Sequence, residues 1–411
     1  MPRFEPFPAV RYNTERVDPA DVLAPPYDVI GPEDLGRLEA RSPYNVVHID
    51  LARDDGPLNR YETARCRLDE WRRDGILTVD EEPAFYVYRM GWHDDDGQPR
   101  QTSGVVGALE LDPARSGQVL PHERTMAKPM DDRLRLMRAC RANVSAIWAL
   151  SLAQGLSALV QPDGPPVLRS TDDDGIHHRL WRLTAPAAVE AIRATVATAP
   201  VVIADGHHRY ETALAYQAEQ RAEHGDGPGS HDLVLTYVTE LSDQELGVRP
   251  IHRLLSGLPD AFPLADALGA SFTLEALGPA PDDLPGRMAQ GGALGLVLPD
   301  EAFLLHPRPG AHRSSLTDSD AVEAALAGLP SHAVGYHHDV GHVLALVEKG
   351  EAQAGVLLRP TTVDQIASAA REGRRLPQKT TFFHPKPRTG LVFRVLENDA
   401  GLLDRASGPK G

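Results

Sequence analysis

The stretch VVIADGHHRYETALAY, residues 201–216, constrains the fold of this chain more than any other. Four apolar residues, three of them β-branched, read as a short strand ending at Ala204. Asp205–Gly206 makes a tight turn, and a helix opens at about His207 and runs to about 223, where GDGPGS stops it. A fold that holds this unit needs a sheet strand that hands over directly to a helix. The first turn of such a helix has backbone N–H groups without intrahelical acceptors, at the positive end of the helix dipole. Gly206 lets a ligand approach that backbone closely. Gly206, His207, His208 and Arg209 therefore form a candidate anion site, in which Arg209 can grip phosphate oxygens with two N–H groups. The plainer alternative makes Asp205 the helix N-cap and leaves the histidines at the surface.

The rest of the chain mixes strands and helices. APPYDVI (24–30) and NVVHIDL (45–51) read as short strands and turns, the paired prolines holding the first extended. A helix follows over 58–74, with Tyr61, Ala64, Leu68 and Trp71 at spacings of three and four, ended at Gly75. PAFYVYRMGW (83–92) and SGVVGALEL (103–111) read as the two arms of a hairpin. Further expected elements are a helix at 131–141, a buried strand at 143–152, a helix at 186–197, and DLVLTYVTEL (232–241) as the best central strand. Beyond 255 the composition turns to Ala, Gly, Leu and Pro, with an expected exposed loop at 308–320 and two strands across 342–360. No repeat of 20–50 residues is visible. The pattern predicts α+β rather than a doubly wound parallel sheet. It divides 1–255 from a C-terminal α+β region, 256–411, whose last segment FFHPKPRTGLVF is expected to fold back onto the first part.

Charge narrows the function. Against 58 Asp and Glu stand 42 Lys and Arg, a net −16 over 411 residues, which argues against a nucleic-acid partner. A small anionic substrate remains open if cations gather locally. They do so at LPHERTMAKPMDDRLRLMRACRAN (120–143). From 121 to 141 this holds Arg124, Lys128, Arg133, Arg135, Arg138 and Arg141 against three acids. Its loop residues His122, Glu123, Arg124 and Lys128 mix donors with one carboxylate, a combination that can neutralise a phosphoryl group and orient a nucleophile. Arg135 and Arg138 read as a solvated helix face. A third constellation, LPQKTTFFHPKPRTGLVF (376–393), sets Lys379, Lys386 and Arg388 around Thr380, Thr381 and two phenylalanines. It lacks the glycines of a P-loop, and a buried aromatic strand is an equal reading. Asp28, beside Tyr27, is a candidate base or a turn former, and IHR (251–253) is another His–Arg pair.

Cys66 and Cys140 are the only cysteines, so no disulfide framework or cysteine zinc site is indicated. The adjacent pairs His177–His178, His207–His208 and His337–His338 lack the spacing that puts two imidazoles on one helix face, and no metal site is expected. No apolar run approaches about 18 residues, and the N-terminus lacks a signal-peptide core. A soluble, cytoplasmic protein without a membrane partner is the expectation.

Four motifs in one order, APPYDVI, LPHERTMAKPMDDRLRL, IADGHHRYETAL and LPQKTTFFHPKPRTGLV, resemble the DUF1015 family of bacterial proteins across nearly the full chain. That family carries the label of unknown function. Its DGHHR–helix unit resembles in turn the phosphate-binding turn of the ParB/sulfiredoxin superfamily, which includes nucleotide-binding partition proteins, sulfiredoxins and free-serine kinases. The resemblance implies a ParB/sulfiredoxin-like mixed α/β core. Sulfiredoxin chemistry uses a cysteine beside the His–Arg pair, where this chain has Asp205–Gly206. A DNA-binding partition protein would carry a basic face. The serine kinases remain, and they imply a phosphotransferase working between ATP, ADP or pyrophosphate and a small hydroxyl substrate, free L-serine or phosphoserine, with Mg²⁺ neutralising the phosphates.

On that resemblance the Gly206, His207 and His208 amides and Arg209 cradle phosphate. His122, Arg124, Lys128 and Arg133, with Lys379, Thr380 or Lys386, balance its charge. The base is Glu123, Asp28 or Asp205, in that order. His207 or His208 could instead take the phosphate or protonate a leaving oxygen, which would make the chain a phosphoserine hydrolase. A cradle without turnover would make it a nucleotide-binding regulator. A homodimer is a possible assembly.

Overall fold

The computed structural model describes residues 1–94, 97–121, 127–243, 245–308, 317–374, 376–377 and 379–396, with backbone only at 121 and 127–129. The chain is α+β and forms two compact units. One is Met1–Leu246 together with the segment from Pro385 onward, and the other is Gly247–His384. The composition change near 255 does not mark these crossings.

The first unit is built on a nine-stranded mixed sheet. Its order is Val119–Pro121, Val201–Asp205, Ile147–Ser151, Leu233–Glu240, Pro99–Glu110, Phe85–His93, His177–Leu183 and Leu168–Thr171, with Phe4–Glu5 against Pro99–Glu110. Phe85–His93 and Pro99–Glu110 form the expected antiparallel hairpin. Leu233–Glu240 lies inside the sheet, parallel to Ile147–Ser151 and antiparallel to Pro99–Glu110. Its six inner residues are all buried, as a strand covered on both faces requires. Val201 and Ile203 point into one core with Val105, Ile147 and Val238, and Tyr210 and Ala213 of the helix His207–His224 pack into the same core. Strand and helix are thus each anchored, and the Asp205–Arg209 junction between them is held from both sides.

One N-terminal expectation is corrected. NVVHIDL forms a single helical turn, Val47–Asp50, rather than a strand. Asn45 Oδ1 accepts from the Val47 N–H at 3.1 Å and starts the turn. Val46, Val47 and Ile49 are all buried, so the apolar run reflects burial on every side and not pleated alternation. APPYDVI is extended only through its prolines, and Tyr27–Val29 closes into a 3₁₀ turn.

The second unit carries a six-stranded antiparallel sheet in the order Phe272–Gly278, Ala302–Pro307, Leu294–Val297, Ala354–Leu357, His252–Ser256, Ala333–His337. Of the two strands expected over 342–360, the first is a helix, Val340–Glu348. Asp339 caps it by accepting from the His342 N–H at 2.6 Å, and Val343 and Val347, one turn apart, are its buried face. The expected loop at 308–320 yields at its end to a helix, Asp318–Leu326, capped reciprocally by Thr317 and Asp320; residues 309–316 lie outside the described residues. Among the described residues no helix is long and apolar enough to cross a membrane.

Candidate functional site

At the end of Val201–Asp205 the chain turns through Gly206, at φ 91°, into the helix His207–His224, with no side-chain cap hydrogen bond among the described residues. The Asp205 carboxylate is used elsewhere. Lys386 Nζ donates to Oδ1, and Arg209 Nη2 donates to Oδ2 at 2.5 Å. The three side chains are 12%, 17% and 10% exposed. Arg209 Nη1 donates to the Ala146 carbonyl, and its buried Nε has no hydrogen-bond acceptor among the described residues. Burial alone would raise the Asp205 pKa, but Lys386 and Arg209 outweigh it and hold the carboxyl well below the usual range. For Lys386 burial works downward and is outweighed by Asp205 and then Asp28, so its pKa is raised.

Gly206 is required twice over. Its φ lies where L-residues are strained, and a Cβ there would come 2.9 Å from Arg209 Nε and 3.0 Å from its Cζ. Gly206→Ala is expected to cost about 1–3 kcal/mol in urea unfolding. It should also loosen the Arg209–Asp205 pair that the guanidinium position depends on.

A second group of charges adjoins the first. Thr389 N donates to the Ala24 carbonyl at 2.8 Å and Ala24 N donates back at 3.2 Å, which brings the Lys386 segment beside Tyr27 and Asp28. Asp28 is exposed, and its charge acts on Lys386, Tyr27 and Asp50. Burial pushes the Tyr27 hydroxyl up to about 12, against the pull of Arg209. The Arg133 guanidinium lies over the Tyr27 ring, 4.3 Å from its centroid. Arg133 donates to Asp50 Oδ1 at 2.8 Å, to the Asp50 carbonyl at 2.9 Å, and from Nε to Asp132 Oδ2 at 2.9 Å. Burial raises the pKa of Asp50, partly opposed by Arg133 and Arg209. Asp50, Asp132 and Arg133, with Ile49, Tyr61 and Leu136, line a cleft of about 470 Å³.

Of the residues singled out from sequence, Asp28, Arg133, Asp205, Gly206, His207, His208, Arg209 and Lys386 all belong to the first unit. His207 is buried and His208 half-buried. Asp205 is not an N-cap: its oxygens serve Lys386 and Arg209. Arg209 and Arg133 both have guanidinium donors committed to protein oxygens, Arg133 almost fully. Lys379 and Thr380 belong to the second unit. There Lys379 is exposed at φ 57° with its carbonyl accepting from Arg253 Nη1 at 3.2 Å, and the Thr380 hydroxyl donates to the Pro377 carbonyl at 2.7 Å. His122, Glu123 and Arg124 lie outside the described residues. So does the Lys128 side chain, though its backbone belongs to the helix Ala127–Cys140.

Sequence reasoning missed Asp50 and Asp132 as partners of Arg133. The Asp131–Asp132–Arg133 run was visible, but nothing local ties Asp50 to a residue 83 positions away. For a resident metal the fit is poor. Among the described residues no three His, Cys, Asp or Glu side chains converge, and both oxygens of Asp205 face cations. What the arrangement offers chemically is an uncapped helix start, buried cations, and an exposed carboxylate within their field.

No curated protein matches the sequence. Among solved structures, a conserved hypothetical protein from Pyrococcus furiosus is 12% identical with a TM-score of 0.38, covering 70% of this chain and 95% of its own. A free serine kinase in complex with AMP is 11% identical with a TM-score of 0.37, covering 67% and 86%. SbnI with a C-terminal truncation, from Staphylococcus aureus, is 12% identical with a TM-score of 0.40, covering 73% and 93%. The profile of the family described as "Protein of unknown function (DUF1015)" matches residues 4–329, a span that takes in the APPYDVI segment, the basic helix and the DGHHR turn, and the chain belongs to that family.

Proposed function

We propose that this protein is a phosphotransferase that moves a phosphoryl group between a nucleotide or pyrophosphate and a small hydroxyl substrate, free L-serine in the forward direction. The observation that carries the reading is the Asp205–Arg209 junction: a left-handed glycine opening an uncapped helix, with Lys386 and Arg209 buried against one carboxylate. Such a helix start favours a phosphate, and two cations beside it are placed to offset the charge of the transferring group. In the reaction the terminal P–O bond of the donor breaks and a P–O bond to the serine hydroxyl forms. The hydroxyl proton passes to a carboxylate. Of the described candidates, Asp28 suits this role better than Asp205, since it is exposed and Asp205 is an anion held by two cations. Mg²⁺ enters with the donor as part of that substrate.

Phosphorus NMR with Mg²⁺, L-serine and ATP, ADP or pyrophosphate in parallel tests the reading. A phosphoserine signal with one donor is the expected result and names the donor. Phosphate released from phosphoserine alone would make the chain a hydrolase, and tight ADP binding without product would make it a regulator. Asp28→Asn is expected to lower turnover by about 100-fold or more, while ADP affinity measured by calorimetry stays within about twofold.

A further inference from the structure

Two residues beyond Lys386, Arg388 enters a separate buried network. Its Nη2 donates to Asp172 Oδ2, its Nε lies 3.4 Å from His178 Nε2, and its backbone N–H donates to the Tyr88 hydroxyl at 3.4 Å. His178 Nε2 is 2.9 Å from Asp172 Oδ2, and His178 Nδ1 is 2.8 Å from the Tyr88 hydroxyl. Burial would raise the Asp172 pKa, but the His178 hydrogen bond and the Arg388 charge outweigh it and keep the group a carboxylate, able only to accept. His178 Nε2 therefore carries the proton, and the Tyr88 hydroxyl donates to Nδ1. Burial pushes the His178 pKa down, which keeps the ring neutral beside the guanidinium. Tyr88 and His178 are at most 1% exposed, and Arg388 and Asp172 are nearly buried.

None of these four groups touches Asp205 in the contacts described above, yet Arg388 is two residues from the lysine that does. The intervening chain is stiff. Pro385 and Pro387 flank Lys386, fix their own φ angles, and hold the residue before each of them extended. Thr389 is bridged to Ala24 immediately beyond. A displacement of Arg388 is therefore passed to Lys386 rather than absorbed between them.

We propose that Arg388 is a positioning residue for Lys386, fastened by Asp172 and Tyr88, which His178 braces, so that the Lys386 ammonium is delivered to Asp205. Its role is to set where one cation of the site sits, and it goes beyond the phosphotransferase reading because it holds whatever anion the site takes. The chain has five lysines, Lys128, Lys349, Lys379, Lys386 and Lys410, so their ¹³Cε signals can be followed one by one in lysine-labelled protein. Lys386→Arg identifies the Lys386 signal by its disappearance.

In the wild type that signal is expected to titrate above the ordinary lysine range, as Asp205 requires. In Arg388→Ala it should fall back into the ordinary range while the other four signals stay put, and Arg388→Lys should restore part of the difference. A Lys386 titration unchanged in folded Arg388→Ala would overturn the proposal, because a residue that only adds stability would not move it. If Arg388→Ala does not fold, the isosteric Asp172→Asn reads the same signal with the same two outcomes. ADP calorimetry on the same samples separates the two ideas. Absence of ADP binding to the wild type counts against the nucleotide reading and leaves the lysine titration to decide this one.

Discussion

Asp205→Ala is expected to lower stability by about 3–5 kcal/mol in urea unfolding at pH 7. Among the described residues, the substitution removes the carboxylate that pairs with both Lys386 and Arg209, two nearly buried cations. Asp205→Asn keeps the shape and returns only part of the loss, since an amide can accept from one of the two donors but carries no charge. The pH dependence has a definite sign. The folded-state pKa lies below the unfolded value, so the stabilisation is fully present above the unfolded value near 4 and disappears as pH falls through the folded value. The gap between wild type and Asp205→Asn should therefore be constant from pH 6 to 8 and narrow on acidification. A gap that does not change down to strong acid would show that the carboxylate's charge is not what holds the junction together.

The junction itself was legible because its signals are local. A β-branched run, Asp–Gly, and a helix with Tyr210, Ala213 and Tyr216 on one face lie within sixteen residues, and each element owes its conformation to its own sequence. The helix over Arg60–Arg73 was legible for the same reason, with Asn59 and Glu62 closing a capping box at its start. What the sequence hid were contacts made across the fold. The plainer alternative for Asp205 was a cap, because Asp before a helix often is one, and the return of Lys386 from 181 positions away makes it an ion-pair centre with Arg209 instead. Val47–Asp50 read as a strand because β-branched residues were taken for alternation, when burial on all sides and one Asn45 hydrogen bond select a helical turn. Val340–Glu348 misled in the same way, its cap Asp339 lying just outside the apolar run. Period and propensity report on a segment's own preferences, while ion pairs of long sequence separation leave no such trace.

Arg133→Ala should be as damaging as the loss of Asp205 at neutral pH, and here the variant itself carries a pH slope. Arg133 is the cation hydrogen-bonded to Asp50, and Asp50 is only 4% exposed, so the variant strands a buried carboxyl at a cost of about 3–5 kcal/mol at neutral pH. Burial already raises the Asp50 pKa with Arg133 in place, and without Arg133 its main opposing charge is gone. A carboxyl whose folded-state pKa exceeds its unfolded value binds more protons folded than unfolded, so the variant must lose stability as pH rises from about 4 through the folded value. It should be most stable in mild acid, where Asp50 is neutral. Asp50→Asn in the Arg133→Ala background should recover much of the loss and abolish that slope, because a neutral amide has no charge to strand. The double variant would then be less damaged than the two single losses added together. Strict additivity, or an Arg133→Ala variant whose stability rises with pH over this range, would mean that Arg133 serves the Tyr27 ring and the Asp132 carboxylate rather than Asp50.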